Sequence, residues 1–266
     1  MPMVCTAGGH RRLSLAGVLE FVRANKRSLV DPAAIGVSLA AAAGKKRGLS
    51  AVKADLLLAL RTGEELAAKQ IVSELYLTGM GVAELCDDIL CETFQEIGRL
   101  WECGNLEVYR ERLACRICSQ LLIDLRGIQP SPPAAAPLAL GGTPEGDHYE
   151  LPTGMVELLL RQQGWRATSL GVSLPISTLA AAVRELQPQL FWLSVSHLQD
   201  VESFLREYDL LYAAAPTALV VGGRALTEPI RKQMRYAAFC DNLRHLESFL
   251  LSRKPPESPK ETPLAN

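Results

Sequence analysis

Four prolines fall within the nine residues Gln129-Pro-Ser-Pro-Pro-Ala-Ala-Ala-Pro137. Neither a helix interior nor a central strand tolerates such a run, so the segment reads as a stiff, extended linker and the chain divides there. Before it, residues 50–128 carry helical periodicity throughout. Leu56, Leu57, Leu58 and Leu60 mark a first helix, and Ile71, Val72, Leu75 and Tyr76 a second. A third runs from Val82 to about Cys103 and a fourth from about Val108 to Leu125. Short connections at Gly63 and Leu77-Thr-Gly79 suit an antiparallel four-helix bundle. After the linker, apolar runs at 138–141, 166–170, 190–195 and 218–221 alternate with helical patterns near 154–164, 176–186, 199–213 and 227–236, and a last one at 243–252. That alternation predicts a parallel sheet covered by helices on both faces.

With 266 residues and 48% apolar composition, the chain can bury a core for two domains. No apolar run approaches a membrane span, and Arg11 and Arg12 follow no secretory apolar stretch, so the cytoplasm is the expected compartment. Seven cysteines, scattered through helical segments, do not form a disulfide framework. Cys115 and Cys118 make a CxxC inside an amphipathic helix and read as small core residues. Residues 1–50 hold eight basic side chains against two acidic ones, on a chain of net charge −1. A basic head on an acidic body points weakly toward nucleic acid.

Three strand ends carry the candidate site. The first leads into Thr143-Pro-Glu-Gly-Asp-His148-Tyr-Glu-Leu-Pro152, another ends in Ser194-Val-Ser196, and the last ends in Gly222-Gly223. Open α/β sheets bind ligands at that carboxyl edge. A neutral imidazole offers one nitrogen to a metal while a carboxylate orients the other. Small hydroxyl residues and paired glycines let a bulky ligand approach the backbone.

In this order the loops resemble the cobalamin-binding domains of methionine synthase, the corrinoid proteins and the cobalamin-dependent transcription regulators. Their pattern is Asp-x-His-x-x-Gly, then Ser-x-Leu, then Gly-Gly. With His148 as the motif histidine, 42 residues separate Leu151 from Ser194 and 25 separate Ser196 from Gly222. Gly146, Leu151 and Ser196 then depart from the pattern's Asp, Gly and Leu. The segment Glu96–Arg112 is similar to the helical cap of the regulator-type members, in which a Trp is followed ten positions later by Glu-His. Trp101 and Glu111 keep that spacing, and Arg112 replaces the histidine. The resemblance implies an α/β Rossmann-like (flavodoxin-like) domain preceded by a four-helix bundle. It also implies adenosylcobalamin or methylcobalamin as cofactor. His148 would be the lower cobalt ligand, and Ser194, Ser196, Gly222 and Gly223 would line the nucleotide arm. Trp101, Glu111 and Arg112 would border the upper face. Arginine stays protonated and cannot coordinate cobalt.

Thr6–Leu13 and the helix after it resemble the wing and following helix of MerR-type winged-helix domains. Arg11 and Arg12 would then meet DNA phosphates. No helix–turn–helix precedes this wing in the sequence, so the head reads as a truncated remnant, and specific DNA binding by this chain is not expected. The expected organisation is therefore a partial winged helix and basic linker at 1–48, a cobalamin cap at 49–128, a linker at 129–136, the α/β domain at 137–253 and a disordered tail at 254–266.

The expectation is a cobalamin-binding sensor, not an enzyme. It would act on transcription as a homo-oligomer without membrane contact, and respond to light through a Co–C bond if it follows the light-sensing members. A corrinoid carrier for a methyltransferase and a degenerate interaction module remain alternatives. No acid–base pair or nucleophile constellation appears elsewhere in the chain.

Overall fold

A computed structural model describes residues 3–5, 11–13, 15–25, 27, 48–215 and 218–252. The basic linker up to residue 47, His10 and the tail from 253 lie outside the described residues. Two compact units emerge. One runs to Ser131 and takes in Tyr149–Gln163; the other is Pro132–His148 and the chain from Gly164.

The first unit opens with a hairpin of β1 (Met3–Cys5) and β2 (Arg11–Leu13), antiparallel with Val4 opposite Arg12, followed by α1 (Leu15–Ala24). Then come α2 (Leu49–Thr62), α3 (Glu65–Leu77), α4 (Val82–Glu84), α5 (Glu92–Glu102) and α6 (Val108–Ile128). α2 packs on α3, α5 and α6, and both α3 and α5 pack on α6. Leu56, Leu60, Val72, Ile97, Ile117 and Leu121 are buried. Where the sequence predicts one regular helix from Val82, a π-helical segment, Leu85–Cys91, joins α4 to α5. Leu85, Cys86, Ile89 and Leu90 are all buried along this segment.

The helix after the first candidate strand, α7 (Glu150–Gln162), groups with this helical unit and not with the α/β residues on either side of it. Its chemistry explains why. Met155, Leu158, Leu159 and Leu160 are all buried, as are Thr153 and Glu157, so the helix is enclosed around most of its girth. Ser119 Oγ donates to Glu150 (3.1 Å), Arg126 pairs with Glu157 (2.8 Å), and the Val82 N–H donates to Gln162 (2.9 Å). Gln129, in the segment expected to be a free linker, is buried, and its side-chain amide donates to the Leu158 carbonyl (3.1 Å).

The second unit holds the expected parallel sheet. β3 (Leu138–Gly142), β4 (Arg166–Ser169), β5 (Leu190–Ser194), β6 (Leu219–Gly222) and β7 (Ala238–Cys240) run in the order β4-β3-β5-β6-β7, with every neighbour parallel. This is the flavodoxin-like order, whose crossover between the first and third strands of the sheet creates a ligand crevice at their carboxyl ends. The helices are α8 (Ile176–Leu186), α9 (Val201–Ala214), the short α10 (Glu228–Arg231) and α11 (Leu243–Ser252). All five β5 residues are buried, the continuous apolar signature of a central parallel strand. β7 is the strand sequence reading missed, since three half-buried residues give too short a signal. Among the described residues no helix is long and apolar enough to cross a membrane.

Candidate functional site

The loop after β3 is held by its own hydroxyls and one buried acid. Thr143 Oγ1 donates to the Asp147 carbonyl (2.6 Å) and accepts from the Ser173 N–H (2.8 Å). The Ser173 hydroxyl in turn accepts from the Gly146 N–H (3.1 Å). Gly146 has φ 80, and a β-carbon there would meet the Gln199 side chain at 3.1 Å, so this tight corner suits glycine. Asp147 is fully buried. Its Oδ2 accepts from the backbone N–H groups of Ser196 (2.5 Å) and His197 (3.2 Å). A carboxylate away from water needs such donors. The acid therefore staples the β3 loop to the loop after β5.

That loop meets the end of β6 equally closely. Ser194 pairs in register with Gly222, and the Val195 N–H donates to the Gly222 carbonyl (2.8 Å). A β-carbon on Gly222 would lie 2.6 Å from the Cys240 carbonyl oxygen. Gly223 has φ 116, and its β-carbon would lie 2.2 Å from the Val195 oxygen. Both glycines are thus demanded by neighbouring backbone, a reason independent of any ligand. Ser194 and Ser196 are buried, and Ser196 offers its carbonyl to Arg224 Nε (3.3 Å).

So the structure brings together, on one sheet edge, the His148 loop, Ser194, Ser196, Gly222 and Gly223. His148 itself is exposed, directly after the anchored Asp147. Beside Gly223 opens a cavity of about 250 Å³, lined also by Arg224, Thr227, Arg231, Phe239 and Asp241. The Arg231 guanidinium lies 4.1 Å over the Phe239 ring and donates to the Leu226 carbonyl (2.6 Å). Two guanidinium groups against one carboxylate favour an anionic occupant. Sequence reading noted Asp147 only as an acid adjacent to the motif position and passed over both arginines. The available signals were an acid beside His148 and an arginine directly after Gly-Gly.

In the helical unit Trp101 is half exposed, an unusual place for an indole at helical spacing. The Glu111 carboxylate accepts from the Cys115 thiol (3.2 Å) and lies 3.5 Å from Arg112, whose side chain is exposed. Arg11 and Arg12 lie on β2. Among the described residues, no three His, Cys, Asp or Glu side chains converge on a metal position.

A parallel α/β unit with its loops gathered on the carboxyl edge of the sheet has the form of a ligand-binding domain. Residues 52–124, most of the helical part, match the family described as "B12 binding domain". The HTH-type transcriptional repressor CarA of Myxococcus xanthus is 34% identical over 155 residues, 58% of this chain and 52% of that protein. CarH of the same organism is 28% identical over 179 residues, 64% of this chain and 57% of that protein. Over those residues the chain is homologous to both repressors. It spans about half the length of these curated relatives. Among solved structures, the monomethylamine corrinoid protein of Methanosarcina barkeri shares the fold, with a TM-score of 0.62 at 14% identity over 77% of this chain and 100% of that one.

Proposed function

We propose that this chain binds cobalamin, as adenosylcobalamin or methylcobalamin, and works as a regulatory protein and not as an enzyme. The match of residues 52–124 to the B12 binding domain carries the reading. The sheet edge is compatible with the cofactor's nucleotide arm. Ser194 and Ser196 border it, Gly222 and Gly223 keep the wall thin, and the cavity beside Gly223 sets Arg224 and Arg231 where the arm's phosphate would be neutralised. In the helical unit, exposed Trp101 supplies an apolar plate for the upper axial group and Glu111 an acceptor for hydroxyls. Arg112 holds a fixed charge there and contributes no second cobalt ligand. His148 is the candidate that the sequence offers for the lower side of the cobalt.

Homology to transcriptional repressors supports a role in transcription; the proposal adds a homo-oligomer acting in the cytoplasm, with Arg11 and Arg12 on β2 as its candidate phosphate contacts. Response to light at the Co–C bond is the finer form of the reading, and absorbance and oligomer size before and after green light test it. Equilibrium dialysis of the purified chain against each cobalamin tests the reading itself: stoichiometric retention supports it and none overturns it. The fold shared with a corrinoid protein favours one alternative, a methyl carrier, which corrinoid methylation by a partner methyltransferase would reveal.

A further inference from the structure

The buried acid of the β3 loop fixes where the loop's register begins, and that moves the position expected to face cobalt. We infer that no histidine of this chain coordinates the metal of a bound cobalamin, because Tyr149 stands where the imidazole would be. The inference rests on the cobalamin reading above and deepens it.

Three residues of the loop could serve as the orienting acid position: Glu145, Gly146 and Asp147. Glu145 is exposed and glycine has no carboxylate, whereas Asp147 is fully buried and bound to the backbone of Ser196 and His197. Only Asp147 is built into the strand-end frame. Counting Asp-x-His-x-x-Gly from it puts Tyr149 in the histidine place and Pro152 in the glycine place. The separation from that last position to Ser194 becomes 41 residues. The two mismatches that follow from anchoring on His148, Gly146 for Asp and Leu151 for Gly, give way to two others with physical explanations.

Pro152 is the third residue of α7. N–H groups in a helix's first turn have no intrahelical acceptor, so a residue without one is accommodated there. Tyr149 is the residue that precedes α7, in extended backbone. A phenol is protonated at neutral pH and offers a hard oxygen, a poor substitute for an imidazole nitrogen on cobalt. His148, one position earlier, follows directly on the anchored acid and remains exposed. The residues therefore suit the cofactor's arm and do not suit its lower metal position.

The test uses electron paramagnetic resonance of cob(II)alamin bound to the full chain. Nitrogen-14 on the axial position splits the cobalt lines into triplets and nitrogen-15 into doublets. Protein made with nitrogen-15 histidine is expected to give a spectrum indistinguishable from unlabelled protein, with triplets from the cofactor's own base or with no nitrogen splitting. His148→Ala is expected to leave that spectrum unchanged. Tyr149→His in labelled protein is expected to introduce doublets. Doublets in the labelled wild-type chain, or none in Tyr149→His, overturn the inference while leaving cobalamin binding intact. Failure to retain cobalamin overturns the functional reading and this inference with it.

Discussion

The Asp147 carboxylate accepts the backbone N–H of Ser196 at 2.5 Å, and this bond, with a longer one from the His197 N–H, ties the loop after β3 to the loop after β5. Asp147→Ala leaves two backbone donors, at 196 and 197, without their buried acceptor. Hydrogen bonds to charged groups contribute about 1.5–3 kcal/mol each, and unpaired buried donors add their desolvation cost. A loss of roughly 2–4 kcal/mol is expected in urea unfolding, with faster amide exchange at residues 196–197. Asp147→Asn, which keeps an acceptor, is expected to lose less. Unaltered exchange at 196 in Asp147→Ala would remove the staple from the account.

Gly141 sits opposite Trp192 in the β3–β5 register, and a β-carbon at 141 would lie 2.0 Å from the indole. Trp192 is buried on the central strand β5. Overpacking of this kind typically costs about 1–3 kcal/mol, and Gly141→Ala is expected at or above the top of that range. Trp192→Leu is also expected to destabilise, through lost burial. Together the two changes should cost less than their sum, because the smaller side chain vacates the space the methyl needs. Strict additivity in a double-mutant cycle would show that the residues do not meet.

Much of this architecture was legible because its signals are local. β5 reads as a buried parallel strand from Leu190-Phe-Trp-Leu, and all five of its residues are buried. What stayed hidden depends on distant partners. The π turn at Leu85–Cys91 answers to packing on neighbouring helices, and α7 joins the helical unit through Ser119, Arg126 and Gln129. At the site, the strand-end loops were found by their small residues. The anchoring of Asp147 could not be read from sequence, because the backbone N–H groups that donate to it lie about fifty residues away. Anchoring the motif on His148 or on Asp147 moves the position expected to face the metal by one residue, from His148 to Tyr149.

Thiol chemistry offers an independent measure of how tightly the helical unit closes. Burial pushes the Cys86 and Cys118 thiols well above their usual range. Burial also raises Cys91 to about 11, and Cys115, which donates to the Glu111 carboxylate, to about 12. Cys103 is exposed. Only thiolate reacts with iodoacetamide. At pH 8, peptide mapping should find Cys103 modified early and Cys86 and Cys118 modified only on unfolding. Equal rates at Cys103 and Cys118 would mean that the helices open readily.

Arg23 fastens α1 to the rest of the helical unit. Its guanidinium donates to the Met80 carbonyl (3.0 Å) and to the Tyr76 hydroxyl (3.4 Å), and lies 4.3 Å over the Tyr76 ring. Leu19 and Val22 are buried beside it, and α1 packs on α3 and α6. Arg23→Ala removes the cation–π contact and leaves the Met80 carbonyl, in the loop after α3, without this donor; an expected cost of about 1–3 kcal/mol falls on α1 docking. Hydrogen exchange should therefore accelerate across residues 15–24 while α2, α3 and α6 keep their protection, since their own cores remain filled. Arg23→Lys keeps the charge but not the planar stack, and is expected to restore only part of the protection. Acceleration spread evenly over the helical unit would show instead that α1 is part of one cooperative core, with Arg23 one contact among many.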